Sequence, residues 1–173
     1  AVKDGDDYIL NGEKIYVTSG ARADSVVVWA TLDKNIGRAA IKSFVVKHGT
    51  PGMEIARLEK KLGIKASDTA AINFTDCRVP AANLLGSPEI DAHKGFAGVM
   101  QTFDNTRPLV AAMAIGVAKA SLDRTRELLK DHLSPNYNVL PLNGSHAEAT
   151  LNRLEAEWEA ARLLTLKAAW LAD

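Results

Sequence analysis

Residues 25–47, SVVVWATLDKNIGRAAIKSFVVK, decide how the first half of the chain folds. Two runs rich in β-branched residues, Ser25–Leu32 and Ile41–Lys47, stand at the ends of this stretch, and such residues favour strands. Polar residues and a glycine separate the two runs, as is common between neighbouring strands. The stretch therefore predicts two strands of an antiparallel sheet.

Further strands are expected on both sides of this stretch. Upstream, Tyr8–Leu10 and Lys14–Thr18 flank Asn11-Gly12, a dipeptide that supplies the positive φ angles of a type I′ hairpin turn. Downstream, strands are expected at Met53–Leu58 and Thr69–Phe74. Roughly six short strands separated by turn signals indicate an antiparallel barrel or sandwich.

The second half of the chain has a helical pattern. Proline and glycine in Arg78–Pro80 and Gly86–Pro88 are expected to interrupt the sheet there. From Phe96 to Leu129 apolar residues recur at helical spacings, and Pro108 should kink this helix or mark a late start. Ser145-x-x-Glu148 is a capping box that predicts the beginning of a second helix.

These patterns predict the α+β class with two domains. We expect an antiparallel β-barrel-like domain over residues 1–87, followed over residues 92–173 by a segment of an α-helical up-down bundle. The chain begins without methionine and stops inside a helical stretch, so we expect it to be a piece of a longer protein.

Composition excludes several classes of function. Lysine plus arginine and aspartate plus glutamate number 21 each, so no net charge attracts nucleic acid or an anionic membrane. No apolar run is long enough to span a bilayer. The four histidines have neither metal-ligand nor catalytic-triad spacing, so no metal site is expected. The single cysteine, Cys77, cannot form an internal disulfide and suggests a reducing, cytoplasmic location.

Three ordered segments carry a resemblance to a known family. They are NGEKIYVTSG at Asn11–Gly20, the stretch Gly63–Gly86 with GIKASDT and FTDCRVPAANLLG, and FDNTRP at Phe103–Pro108. In sequence and order they resemble the acyl-CoA dehydrogenase family, whose first signature is N-G-x-K-x-[WY]-I-T-[NS]-[GA]. The resemblance implies the middle β-domain and the start of the C-terminal helical domain of such an enzyme, with FAD as cofactor.

A flavin-facing role is implied for Tyr16, Val17 and Thr18. Tyr16 and Thr18 lie two apart on a predicted strand, so they should point to one face. There a ring could lie against the flavin, and the threonine hydroxyl could donate to its reducible nitrogen, as the family's threonine does at this position. The competing interpretation is an ordinary surface pair on a sheet. Ser67 and Thr69 likewise share a face, with either a cofactor-side role or plain strand exposure.

A substrate-binding role is implied for Phe103, Asp104 and Arg107, which the resemblance places against the CoA portion. Asp104 and Arg107 are spaced i, i+3 on the predicted helix, so they share a face and can pair with each other instead. A surface salt bridge and a ligand contact both remain open at this point.

The resemblance implies oxidation of an acyl-CoA thioester to its 2-enoyl product, with hydride transfer to FAD and electrons passed on to an electron-transfer flavoprotein or a similar acceptor. It also implies a homo-oligomer, a dimer or tetramer. The reaction needs a carboxylate base. In some members that base lies at the position of Thr106, and threonine cannot serve at neutral pH, so no catalytic residue is assigned and the chain alone is expected to be inactive.

Two alternatives remain open. The first is an acyl-CoA oxidase-like flavoprotein of the same fold. The second is a non-catalytic subunit that has lost the cofactor, because His132–Asn136 replaces the family's arginine-lysine-x-phenylalanine-glycine run.

Overall fold

The computed structural model describes residues 1–91, 97–131, 133 and 145–172. The chain divides into two compact units, Ala1–Gly98 and Val99–Asp173. The first unit holds seven strands, at Val2–Asp4 (β1), Asp7–Thr18 (β2), Ser25–Thr31 (β3), Ile41–Lys47 (β4), Met53–Leu58 (β5), Thr69–Pro80 (β6) and Leu84–Leu85 (β7). The second unit holds two helices, at Ala97–Leu129 (α1) and His146–Ala172 (α2), as the α+β prediction requires.

The strands of the first unit form two antiparallel sheets. One has the order β1-β2-β6-β5 and the other the order β3-β4-β7. Within the described part of the chain these sheets are separate, so the expected barrel-like closure is replaced by two sheets that share one core. The rings of Tyr8 and Phe44 meet edge to face across that core, with centroids 5.1 Å apart. Both sheets contribute buried apolar residues, among them Leu10, Ile72, Phe74, Val28 and Val46.

The predicted hairpin at Asn11-Gly12 is wrong. β2 continues through this dipeptide, and the turn that precedes it lies at Gly5-Asp6, where Gly5 has φ 60°. The Asn11 side chain instead bonds across to β6: its Oδ1 accepts from the Asp76 backbone N–H at 2.8 Å, and its Nδ2 donates to Asp76 Oδ1 at 3.0 Å. Pairing between strands therefore overrides the local turn signal.

β6 is longer than the sequence pattern predicted. The pairing of β2 with β6 shifts register between Leu10 and Gly12, and Asp76 on β6 has φ 47°, which marks a β-bulge. The buried residues Phe74 and Cys77 lie three apart across this bulge, so the alternation with period two is interrupted. Residues 78–80, where the sheet was expected to be interrupted, therefore belong to the end of β6.

The helical unit begins as a long helix that passes through Pro108 without ending, so the alternative of a late helix start is wrong. The capping box is confirmed at its serine, because Ser145 Oγ accepts from the Glu148 backbone N–H at 3.1 Å. The sequence also predicts a loop with two prolines over residues 132–144, and apart from Leu133 these residues lie outside the described part of the chain.

Several side-chain contacts join α1 to α2, and two of them give the relative direction of the helices. Trp158 Nε1 donates to the carbonyl oxygen of Ile115 at 3.1 Å. Arg126 makes a bidentate pair with Glu155, through Nε at 2.5 Å and Nη2 at 2.6 Å. Residue numbers rise along α1 as those of their partners fall along α2, so the two helices are antiparallel. Among the described residues, no helix combines the length and apolar character needed to cross a bilayer.

Candidate functional site

The end of β2 carries the first group of predicted site residues. Between Lys14 and Val17 the pairing with β6 shifts register, so β2 has a bulge there and Tyr16 takes φ 60°. Val17 packs against the core, whereas Tyr16, 69 % exposed, and Thr18 lie on the solvent side. The side chains of Tyr16 and Thr18 are therefore both open to solvent, whereas that of Val17 is partly buried.

The backbone of Tyr16 is strained. A left-handed φ costs an L-residue with a bulky side chain about 1–2 kcal/mol, and such strain persists only where the surrounding structure imposes it. Here the pairing of both flanking segments with β6 imposes it. The bulge has the consequence that an aromatic ring and a hydroxyl stand out from the same strand end.

A tight turn follows Thr18. Ser19 has φ 56°, and its carbonyl oxygen accepts from the backbone N–H groups of Arg22 at 3.0 Å and Ala23 at 2.8 Å. Gly20 is buried against β6, and a Cβ there would lie 3.0 Å from the Cβ of Ala70. A side chain at position 20 would therefore be crowded against Val17 and Ala70.

A cavity of about 400 Å³ opens beside the same strand end. Thr69, which pairs with Thr18 across β2 and β6, is one of its lining residues, and so is Ser67. Basic side chains outnumber acidic ones around it, which suits an anionic ligand. The lining is completed by Leu58, Glu59, Lys60, Lys61, Lys65 and Asp68.

The sequence analysis quoted Lys65 and Asp68 within GIKASDT, but it assigned no role to them or to Lys60 and Lys61. The basic cluster had a signal in the sequence, since three lysines lie within a short loop before Ser67. Asp68 had none, because its contacts reach residues far away along the chain.

The predicted substrate-binding residues lie together on the outer surface of α1. Arg107 Nη1 pairs with Asp104 Oδ1 at 2.9 Å, and the Arg107 guanidinium carbon stands 5.5 Å from the centre of the Phe103 ring. The two charged side chains are 61 % and 64 % exposed. The helix pair that was the competing interpretation is thus formed, and it is a surface pair. The CoA-binding role of the three residues remains a prediction.

The absence of a catalytic base from the chain, argued from Thr106, stays a prediction. The Thr106 Oγ1 donates back to the carbonyl oxygens of Thr102 at 3.0 Å and Phe103 at 3.3 Å. Within the described ranges, no group of three or more histidine, cysteine, aspartate or glutamate side chains could hold a metal ion. His93 and the His132–Asn136 segment, apart from Leu133, lie outside those ranges.

Comparison with known families matches almost the whole chain. Residues 1–77 match the family described as acyl-CoA dehydrogenase, middle domain, and residues 93–173 match acyl-CoA dehydrogenase, C-terminal domain. The chain belongs to the acyl-CoA dehydrogenase family. The resemblance found in the three sequence segments is confirmed.

Several acyl-CoA dehydrogenases align over the full chain. A probable acyl-CoA dehydrogenase of Bacillus subtilis is 38 % identical over 100 % of this chain and 44 % of its own length. The mitochondrial short-chain specific acyl-CoA dehydrogenase of Rattus norvegicus is 38 % identical over 100 % of this chain and 40 % of its own length. The solved butyryl-CoA dehydrogenase of Megasphaera elsdenii superposes with a TM-score of 0.80 at 38 % identity, over 97 % of this chain and 43 % of that one. The chain therefore spans less than half the length of these acyl-CoA dehydrogenases.

The acyl-CoA dehydrogenase family implies FAD, and the residues at the end of β2 fit one edge of a flavin. The exposed Thr18 offers a hydroxyl donor, and the exposed Tyr16 offers an aromatic ring near the same end of β2. Neither side chain would have to leave the core to reach a ligand.

Proposed function

We propose that the complete polypeptide carrying this chain is an FAD-dependent acyl-CoA dehydrogenase, which oxidises an acyl-CoA thioester to the 2-enoyl-CoA. One observation carries the proposal. In a chain of this family, a strained bulge at the end of β2 exposes Tyr16 and Thr18 while the residue between them packs into the core. Strained backbone residues are enriched at ligand sites, which supports a ligand contact at this bulge.

The residues of the chain have separate roles in this proposal. The bound flavin supplies the acceptor for the substrate's β-hydride. The Thr18 hydroxyl donates a hydrogen bond toward the ring nitrogen where negative charge develops, and a donor placed in advance stabilises that charge. Tyr16 presents its ring to the flavin. The carboxylate that removes the α-proton is supplied from outside this chain.

The substrate's CoA portion is assigned to Phe103, Asp104 and Arg107. The exposed guanidinium of Arg107 has the planar fork that binds phosphate, and its surface pair with Asp104 can exchange for a ligand at small cost. As in the sequence analysis, we propose an electron-transfer flavoprotein or similar protein as the electron acceptor, a homo-oligomer as the assembly, and the cytoplasm as the location.

The test of the flavin assignment is Thr18→Val in the complete polypeptide. Loss of one hydrogen bond to developing charge should slow flavin reduction by acyl-CoA roughly ten- to a hundred-fold, measured by anaerobic stopped-flow absorbance. Thr75→Val is the matched control, since Thr75 is another exposed threonine, on β6, and it should leave the rate unchanged. An unchanged reduction rate in Thr18→Val would remove Thr18 from the flavin site.

A further inference from the structure

The turn after Thr18 is held by Asp68, the residue immediately before β6. Asp68 Oδ2 accepts from the Ala21 backbone N–H at 3.2 Å, a contact that is partly buried. The backbone of the same residue adds a second bond, because its carbonyl oxygen accepts from the Ser19 N–H at 2.9 Å. Asp68 thus bonds to the turn through both its side chain and its backbone. Thr18 is the residue immediately before this turn.

The turn needs this support because its own conformation is unfavourable. Ser19 is in the left-handed region, and Gly20 is wedged between Val17 and Ala70. Removing the carboxylate would leave the partly buried Ala21 N–H without that acceptor. A shift of the turn toward solvent would then be favoured, because water could accept from this N–H. A shift of the turn would move Thr18 as well, because Thr18 is the last residue of β2 and is joined directly to Ser19.

The ion pair between Asp68 and Arg22 does not explain why the Asp68 side chain is buried. Arg22 Nε lies 3.4 Å from Asp68 Oδ1, and the Arg22 side chain is 76 % exposed, whereas that of Asp68 is 11 % exposed. A pair with one partner in water stabilises little. Among the contacts of the Asp68 side chain, the hydrogen bond to the Ala21 N–H is the one that holds the turn.

We propose that Asp68 is a positioning residue for Thr18. Its carboxylate fixes the turn Ser19–Ala23, and this fixes the direction in which the Thr18 hydroxyl donates. The inference rests on the proposed function, because it assigns Asp68 to the flavin contact made by Thr18. Asp68 itself acts through the turn and is not required to touch the flavin.

The test is a double-mutant cycle in the complete polypeptide, with the reduction rate and the visible flavin spectrum as readouts. Asp68→Ala should slow reduction by about ten-fold and shift the flavin bands in the same direction as Thr18→Val. Asp68→Asn should restore the rate to within about three-fold of the wild type, because an amide oxygen still accepts from the Ala21 N–H. Arg22→Ala is the matched control and should leave both readouts unchanged.

The double variant decides between positioning and simple stabilisation. If Asp68 acts through Thr18, then Asp68→Ala adds nothing to the defect of Thr18→Val, in rate or in spectrum. Additive defects, or an unaltered rate in Asp68→Ala beside a slowed Thr18→Val, overturn the proposal. Asp68→Ser, whose hydroxyl is too short to reach the Ala21 N–H, replaces the alanine variant if that variant does not fold. The proposed function fails separately, when the wild-type polypeptide binds no FAD or when no acyl-CoA reduces its flavin.

Discussion

Replacing Arg107 by alanine separates a ligand-binding arginine from a structural one, and α1 offers a matched control. Arg107 pairs with Asp104 at i, i+3, with side chains 61 % and 64 % exposed. Arg124 pairs with Glu127 at the same spacing on the same helix, with side chains 62 % and 66 % exposed. The two pairs are therefore similar in spacing and exposure, although Arg107 also lies over the Phe103 ring.

The magnitudes follow from this exposure. Each pair should stabilise the fold by no more than about 1 kcal/mol, so Arg107→Ala and Arg124→Ala should both lower the melting temperature by no more than about 4 °C. A hydrogen bond between a guanidinium and a phosphate contributes about 1.5–3 kcal/mol of binding free energy, which corresponds to a rise in KM of roughly ten- to a hundred-fold. Because the CoA contact is remote from the reacting carbons, kcat should change little.

The assay consists of thermal melts and acyl-CoA titrations on the complete polypeptide. We expect a raised KM for Arg107→Ala and a wild-type KM for Arg124→Ala, with similar melting temperatures. Equal KM values for the two variants, or a much larger loss of stability in Arg107→Ala, would refute the assignment of Arg107 to substrate.

Two further predictions concern the stability of each unit. Gly52 has φ 86°, and a Cβ there would lie 2.2 Å from a backbone carbonyl oxygen of β6, whereas Gly49, with φ 78°, has open space around it. Gly49→Ala should cost about 1–2 kcal/mol and Gly52→Ala at least about 2 kcal/mol more in urea unfolding, and equal costs would contradict the close approach. In the second unit, the hydrogen bond from Arg126 lowers the pKa of Glu155. This interaction stabilises the fold above the ordinary glutamate pKa and is lost as the pH falls through the lowered value, so Arg126→Ala should be less stable than the wild type at neutral pH, with a difference that narrows below about pH 4. A difference in unfolding free energy that stays constant with pH would contradict this account.

Local patterns in the sequence predicted the regular elements well. The runs that form β3, β4 and β5 were located, because β-branched residues and flanking turn signals act over a few residues. The serine cap of α2 was found for the same reason. The hairpin predicted at Asn11-Gly12 was wrong, because this dipeptide also fits within a strand when the Asn11 side chain bonds to a distant bulge.

The site was predictable only where its residues lie close in sequence. Tyr16 and Thr18 were expected on one face, and the structure exposes both. The bulge between Lys14 and Val17 was not predicted by any local pattern. The hydrogen bond from the Ala21 N–H to the Asp68 carboxylate joins residues 47 positions apart. Such a contact depends on the pairing of β2 with β6, so the sequence pattern around either residue alone could not reveal it.

The most direct test of the proposed activity is anaerobic mixing of the purified complete polypeptide with acyl-CoA thioesters. The account predicts that the protein carries FAD, that an acyl-CoA bleaches its visible absorbance with formation of the 2-enoyl-CoA, and that readmitted air restores the colour only slowly. Rapid restoration by air would indicate an oxidase instead. A flavin that no acyl-CoA reduces, or a correctly folded protein that binds no FAD, would contradict the central claim.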